Sequence, residues 1–206
     1  MKLLLIGGHT RNIGKTALVV DIIRAFPDAQ WTAVKITQYG HGVCSINGES
    51  CGCAPDQHSF SVDEESSRDN RTDTSRFLVA GAARSLWVRT KQGRLAEAMP
   101  ILRDALQGAG NVIVESNSLM SLVQPALYIV VLDPSHADFK ASAKQYIDRA
   151  DAVILRRPYA AAPWPGISEG LIAPKPRFEQ RLGEILPADL AAFIGERFVR
   201  QDVAHL

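Results

Sequence analysis

Nine residues near the amino terminus, Gly8-His9-Thr10-Arg11-Asn12-Ile13-Gly14-Lys15-Thr16, place two glycines, an ammonium group and a hydroxyl in one short turn. A turn of this kind directs backbone N–H groups toward an anion at a helix start, where the partial positive charge of the helix terminus also favours the anion. Lys15 is suited to neutralise the β- and γ-phosphates of a nucleoside triphosphate, ATP or GTP, and the Thr16 hydroxyl to ligate magnesium. Gly14 permits close approach of the phosphates. Nucleotide contacts are therefore expected from Gly8, Thr10, Arg11, Asn12, Ile13, Gly14, Lys15, Thr16 and Ala17. The usual spacing G-x-x-x-x-G-K-[ST] would need glycine at position 9, where the chain has His9, and counting from Gly8 leaves five residues before Gly14. The plainer alternative is that Gly14-Lys15-Thr16 is only a polar helix start.

Carboxylates are expected around the same turn. Glu115 follows the apolar run Val112-Ile113-Val114, so it ends a buried strand where ligands of an open α/β sheet collect. It is the leading candidate to hold magnesium or orient a water, against a solvated strand end as the alternative. Asp73 opens a helical segment and is a second catalytic candidate, although an aspartate there also serves as a helix N-cap. Asp133 ends another apolar run, but Pro134 after it suggests a turn. Lys35, at the tip of the apolar stretch before it, can reach a γ-phosphate or a carboxylate, or simply extend its ammonium into water.

A second cluster is chemically different. Cys44, Cys51 and Cys53 lie in a polar stretch flanked by His41 and His58. Zinc takes tetrahedral sulfur and nitrogen donors, and a loop lacking its own core gains order from such a cross-link. The three thiols with either histidine would complete four-coordination, making a structural metal. A redox-labile disulfide such as Cys44 to Cys51, or three ordinary thiols, are the alternatives.

The elements that must hold these groups follow from hydrophobic periodicity. Lys2 to Ile6 reads as a strand, Thr16 to Phe26 as a helix and Trp31 to Ile36 as a second, parallel strand. Residues 37–71 lack periodicity and read as a long loop or small inserted lobe, the metal-binding insertion of a single domain spanning 1–206. Further helices are expected at Thr72 to Ala83, Leu95 to Leu106 and Ala137 to Ala150. Further strands are expected at Ser85 to Thr90, Asn111 to Glu115, Ala126 to Leu132 and Ala152 to Leu155. Prolines at 158, 163, 165, 174 and 176 argue against strand pairing between Arg156 and Pro176. A closing helix over Pro187 to Arg200 carries the stripe Leu190, Phe193, Ile194 and Phe198, which serves a homodimer interface or packs on the sheet. The alternation predicts an α/β protein of three layers with a mostly parallel sheet.

Composition narrows the classes. At 206 residues the chain suits one substantial core. Lys plus Arg number 23 against 22 for Asp plus Glu, so charge supplies no argument for a nucleic-acid or anionic-membrane partner. No apolar run approaches a signal peptide or a membrane span, and three clustered cysteines do not suggest a secreted disulfide framework, so a cytoplasmic location is expected.

The spacing of the glycine turn resembles that of dethiobiotin synthetase, a P-loop enzyme with five residues between its first glycine and Gly-Lys-Thr. A broader resemblance is to the molybdopterin-guanine dinucleotide biosynthesis protein B family. Asp73-Thr74-Ser75-Arg76 with Ala80-Gly81-Ala82 resembles that family's Asp-Thr or Asp-Ser, Arg and Ala-Gly-Ala segment. Val34-Lys35 and Val112-Ile113-Val114-Glu115 are similar to its Val-Lys-His and Val-Glu-Gly segments. The matches run in order over roughly residues 2 to 155. The chain departs where Glu115-Ser116-Asn117-Ser118 replaces Val-Glu-Gly's continuation and where Ile36 replaces the histidine after Lys35. The resemblance implies a P-loop NTPase fold and a nucleotide-binding or hydrolysing accessory protein in cofactor or metal-site maturation, acting on a cofactor-biosynthesis partner. A small-molecule kinase or ligase of the dethiobiotin synthetase type, or a nucleotide-gated metal chaperone, are the alternatives. The order Leu155-Arg156-Arg157-Pro158 lacks the Asn-Lys-x-Asp of many guanine-selective relatives, which leaves ATP and GTP both open.

Overall fold

Apolar residues that alternate between two buried faces explain the central sheet. In Lys2–Gly8 (β1), Leu4 and Ile6 join one core while Leu5 joins the other, and in Asn111–Glu115 (β5) Ile113 faces opposite to Val112 and Val114. Strands covered on both faces read as continuous apolar runs, as these do. The computed structural model describes residues 1–40, 58–156 and 164–199.

The remaining strands are Thr32–Tyr39 (β2), Phe60–Glu64 (β3), Arg84–Lys91 (β4), Leu127–Leu132 (β6), Ala152–Arg156 (β7) and Arg177–Gln180 (β8). Among the described residues they form one eight-stranded sheet in the order β3-β4-β2-β5-β1-β6-β7-β8. All pairings are parallel except β3 with β4. β1 lies between β5 and β6, with Ile6 beside Glu115 and Gly8 beside Val131. The turn leaving β1 therefore opens at the carboxyl edge where β5 also ends, and ligands of doubly wound sheets occupy that place.

Helices cover both faces. Lys15–Ala25 (α1), Asp73–Ala80 (α2) and Ala188–Ile194 (α5) contribute Leu18, Ile22, Phe77, Leu190 and Ile194 to one core. Leu95–Ala105 (α3) contributes Leu95, Ala98 and Leu102 to the other. The expected three-layer α/β architecture is what the chain adopts.

Three expectations need correction. Residues 37–71 are not all loop: β2 continues to Tyr39, and Phe60–Glu64 pairs antiparallel with β4, with Phe60 and Val62 packed on the core and Asp63 paired to Arg89. The helix over Ala137 to Ala150 shrinks to Ala141–Lys144 (α4) and a 3-10 turn at Ile147–Arg149, because the backbone before it is bonded to His9. The helix expected through Ala83 stops at Gly81, whose φ of 110° takes it out of helical geometry. In addition, β8 carries little hydrophobic signal, since only Phe178 and Gln180 turn inward. Cys44, Cys51, Cys53 and His41, the core of the expected zinc insertion, lie outside the described residues. Among the described residues no helix is long and apolar enough to cross a membrane.

The stripe of the closing helix packs on the sheet. Leu190, Ile194 and Phe198 are fully buried, and Phe198 stacks on Trp31 with ring centroids 5.5 Å apart. Phe198→Ala should therefore lower unfolding free energy by about 3–5 kcal/mol in a denaturant titration. A change in oligomeric mass with stability unaltered would instead mark the stripe as an interface.

Candidate functional site

The turn between β1 and α1 is held at both ends by side chains from other elements. Asn117, just after β5, brackets Gly8: its Oδ1 accepts from Gly8 N at 2.8 Å and its Nδ2 donates to Gly8 O at 2.6 Å. Gly7 makes room for this, because a Cβ there would meet Asn117 Oδ1 at 2.6 Å and the Tyr128 hydroxyl at 2.7 Å. His9 is fully buried, with Nδ1 2.8 Å from Asp138 O and Nε2 3.0 Å from Asp133 N. A neutral ring protonated on Nδ1 satisfies both contacts. Burial lowers the His9 pKa, opposed by the backbone contacts with Asp138 and Asp133. Phe139 and Trp164 pack against the ring at centroid distances of 5.3 and 5.0 Å. Position 9 thus exchanges a glycine's freedom for an anchor onto the segment after β6, and Thr10 adds a hydroxyl bond to Asp138.

At the far end, Gly14 adopts φ 84°, a left-handed conformation natural to glycine, and α1 begins at the next residue. Arg156, from the end of β7, donates to Ile13 O at 3.1 Å and Gly14 O at 2.7 Å. The turn borders a cavity of about 680 Å³ lined by Thr10, Arg11, Asn12, Gly14, Lys15, Thr16 and Ala17. Of the expected nucleotide contacts, two stand back from it: Gly8 is engaged by Asn117, and the Ile13 side chain is buried in the core.

Opposite the turn, charged groups converge. Thr16 Oγ1 donates to Glu115 Oε2 at 2.7 Å, and Lys35 Nζ lies 2.6 Å from Glu115 Oε1 and 2.9 Å from Asp73 Oδ2. Glu115 is 3% exposed, so the solvated-strand-end alternative does not describe it. Asp73 is not the helix cap: Thr72 caps α2 by accepting from Ser75 N, which leaves the Asp73 carboxylate to Lys35 and, at 3.6 Å, to Arg76. Burial alone would lower the Lys35 pKa, but Glu115 and Asp73 outweigh it and hold the group above its ordinary value. Lys15 has the reverse balance. Its Nζ donates to Thr10 O at 2.6 Å, and burial, joined by the charges of Lys35 and Lys140 against Glu115, lowers its pKa to about 8.

Asp133 accepts from Ser135 N at 3.0 Å and closes a turn, as Pro134 suggested. His58, the one described member of the proposed zinc set, is exposed just before β3. Among the described residues no three His, Cys, Asp or Glu side chains group as a metal site. Magnesium needs fewer protein ligands, because it keeps several waters and binds one or two hard oxygens together with substrate phosphates. The Thr16 hydroxyl and the Glu115 carboxylate are oxygens of that kind, in contact at the cavity wall.

Sequence reasoning did not single out His9, Asn117 or Arg156 as site residues. Each carried a signal: His9 stands where glycine was expected, Asn117 follows the serine that replaces the glycine of the related Val-Glu-Gly pattern, and Arg156 ends an apolar strand just as Glu115 does.

No family model matches the chain, and no curated protein matches it. Among solved structures it is similar to HypB from Helicobacter pylori in complex with nickel, with a TM-score of 0.53 and 16% identity over 95% of this chain and 86% of that one. It also matches LpxK from Aquifex aeolicus in complex with ATP, with a TM-score of 0.48 and 15% identity over 87% of this chain and 53% of that one. The likeness to HypB concerns the fold, and with the strand order and the turn after β1 it gives this chain the P-loop NTPase fold.

Proposed function

We propose that the chain binds a magnesium nucleoside triphosphate, ATP or GTP, and hydrolyses it as an accessory protein in cofactor or metal-site maturation. The observation that carries this reading is the convergence of Lys15, Thr16, Lys35 and Glu115 on the cavity bordered by the glycine turn. Lys15 exchanges the Thr10 carbonyl for β- and γ-phosphate oxygens, a charge-assisted contact stronger than the one it replaces. Thr16 and Glu115 would hold magnesium, which supplies charge neutralisation at the phosphates. Glu115 also suits a water-orienting role, and Asp73 serves with it by holding Lys35 from the other side. Lys35 is thereby kept protonated and aimed at the place where negative charge would build up in the transition state.

The metal side of the proposal draws on two features: HypB, a protein of this fold, was solved with nickel, and the cysteine-rich segment has soft ligands suited to zinc or a related ion. The ordered matches around Lys35, Asp73 to Arg76 and Glu115 support kinship with the molybdopterin-guanine dinucleotide biosynthesis protein B family. One observation favours phosphoryl transfer as a second reading. The cavity lining also includes Gln38, Tyr39, Ser118 and Ser142, uncharged polar side chains suited to contacts with an acceptor molecule.

Lys15→Ala should fold normally and lose the thermal stabilisation that magnesium-ATP or magnesium-GTP gives the wild type. Equal stabilisation of both proteins contradicts the reading. A radiolabelled product other than inorganic phosphate would replace hydrolysis by transfer. The Lys15 pKa of about 8 also sets a pH dependence. Phosphate binding needs the ammonium, so affinity should be flat below pH 8 and fall by up to about tenfold per unit above it, with proton uptake on binding. Stability of the ligand-free protein moves the other way. Between about 8 and the ordinary lysine value the unfolded chain holds more protons, so the cost of burying the charge is relieved as pH rises. Calorimetry near pH 9 in buffers of differing ionisation enthalpy measures the proton uptake, and its absence contradicts the assignment.

A further inference from the structure

We propose that Arg156 is a positioning residue that sets the phosphate-binding geometry of the turn through two backbone carbonyls; the proposal rests on the nucleotide reading above. A trans peptide is planar, with its C=O and N–H pointing in opposite directions. Arg156 Nε binds the carbonyl of Ile13, so the N–H of the same peptide unit, that of Gly14, is turned to the other side of the chain; Nη2 adds a second donor to the Gly14 carbonyl, which also accepts from Leu18 N at 3.0 Å as the first bond of α1. Gly14 and Lys15 line the cavity, whereas Arg156 does not. The guanidinium therefore acts through the backbone and does not touch the phosphates.

Several features show that this contact is built rather than incidental. Arg156 is 2% exposed, and its Nη1 donates to Gln180 Oε1 at 2.7 Å. Gln180, itself fully buried, donates to Asp21 Oδ2 of α1 and to Glu184 O, both at 3.0 Å. Strand register places the pair, since Arg156 of β7 is the partner of Gln180 of β8. Gly14 is fitted to the same end: a Cβ there would meet Arg156 Nη2 at 2.8 Å and Leu182 Cδ2 at 2.3 Å. A planar fork is required, because three acceptors in different directions cannot be served equally by the single ammonium of a lysine.

The test compares the wild type with Arg156→Lys and Arg156→Ala, titrating inorganic tripolyphosphate and magnesium-ATP or magnesium-GTP by calorimetry, with thermal unfolding recorded separately. Tripolyphosphate isolates the phosphate cradle from any contact with base or ribose. Arg156→Lys should bind tripolyphosphate and nucleotide more weakly by the same factor, about tenfold or more, at temperatures where it is fully folded. Low-millimolar guanidinium should restore much of the affinity of Arg156→Ala and leave the wild type unaffected. Affinities within twofold of wild type in Arg156→Lys overturn the proposal, as does a loss that only tracks the folded fraction. Should Arg156→Ala fail to fold, the lysine variant decides. A wild type that binds neither ligand sinks the nucleotide reading itself, and this proposal falls with it.

Discussion

Turning a peptide N–H toward an anion turns its carbonyl into the protein, where it must find a donor. That constraint organises the turn between β1 and α1. The carbonyls of Ile13 and Gly14 reach Arg156, Gly8 is bracketed on both its polar groups by Asn117, and the His9 side chain is tied to the segment after β6. These three anchors come from β7, the end of β5 and the stretch leading to α4, so the sheet sets the shape of the turn. Six parallel pairings bring those strand ends to one edge.

Charge at that edge is balanced in a way that suits exchange. Lys35 is held by two carboxylates and kept protonated, while Lys15 donates to the Thr10 carbonyl and has a depressed pKa. A polyphosphate with its divalent cation would relieve the second group and compete with Lys35 for Glu115. The proposed function thus asks the site to trade internal contacts for external ones of the same chemistry.

Much of this arrangement is legible in the residues themselves. Asn111 to Glu115 reads as a buried strand ending in an acid because apolar runs and carboxyl edges have known meaning in α/β sheets, and its bounds match those observed. β3 and β8 are less legible: each is short, and its apolar positions are sparse within polar surroundings. The segment after Asp133 looks helical by composition, yet its backbone groups are taken by His9, a residue 131 positions from Lys140. Arg156 is the clearest case. A cation ending an apolar strand has no local meaning, and its role emerges only once β7 lies beside β8 and Arg156 reaches the Gly14 carbonyl.

In the proposed function the turn needs no rebuilding to accept a triphosphate. A crystal structure with magnesium and a non-hydrolysable ATP or GTP analogue tests it most directly. The β- and γ-phosphates should lie against the amides of Gly14 and Lys15, with Lys15 Nζ moved from Thr10 O to phosphate oxygens and the Arg156 contacts unchanged. A nucleotide bound elsewhere, or a turn that must rebuild its backbone to accept one, would contradict it.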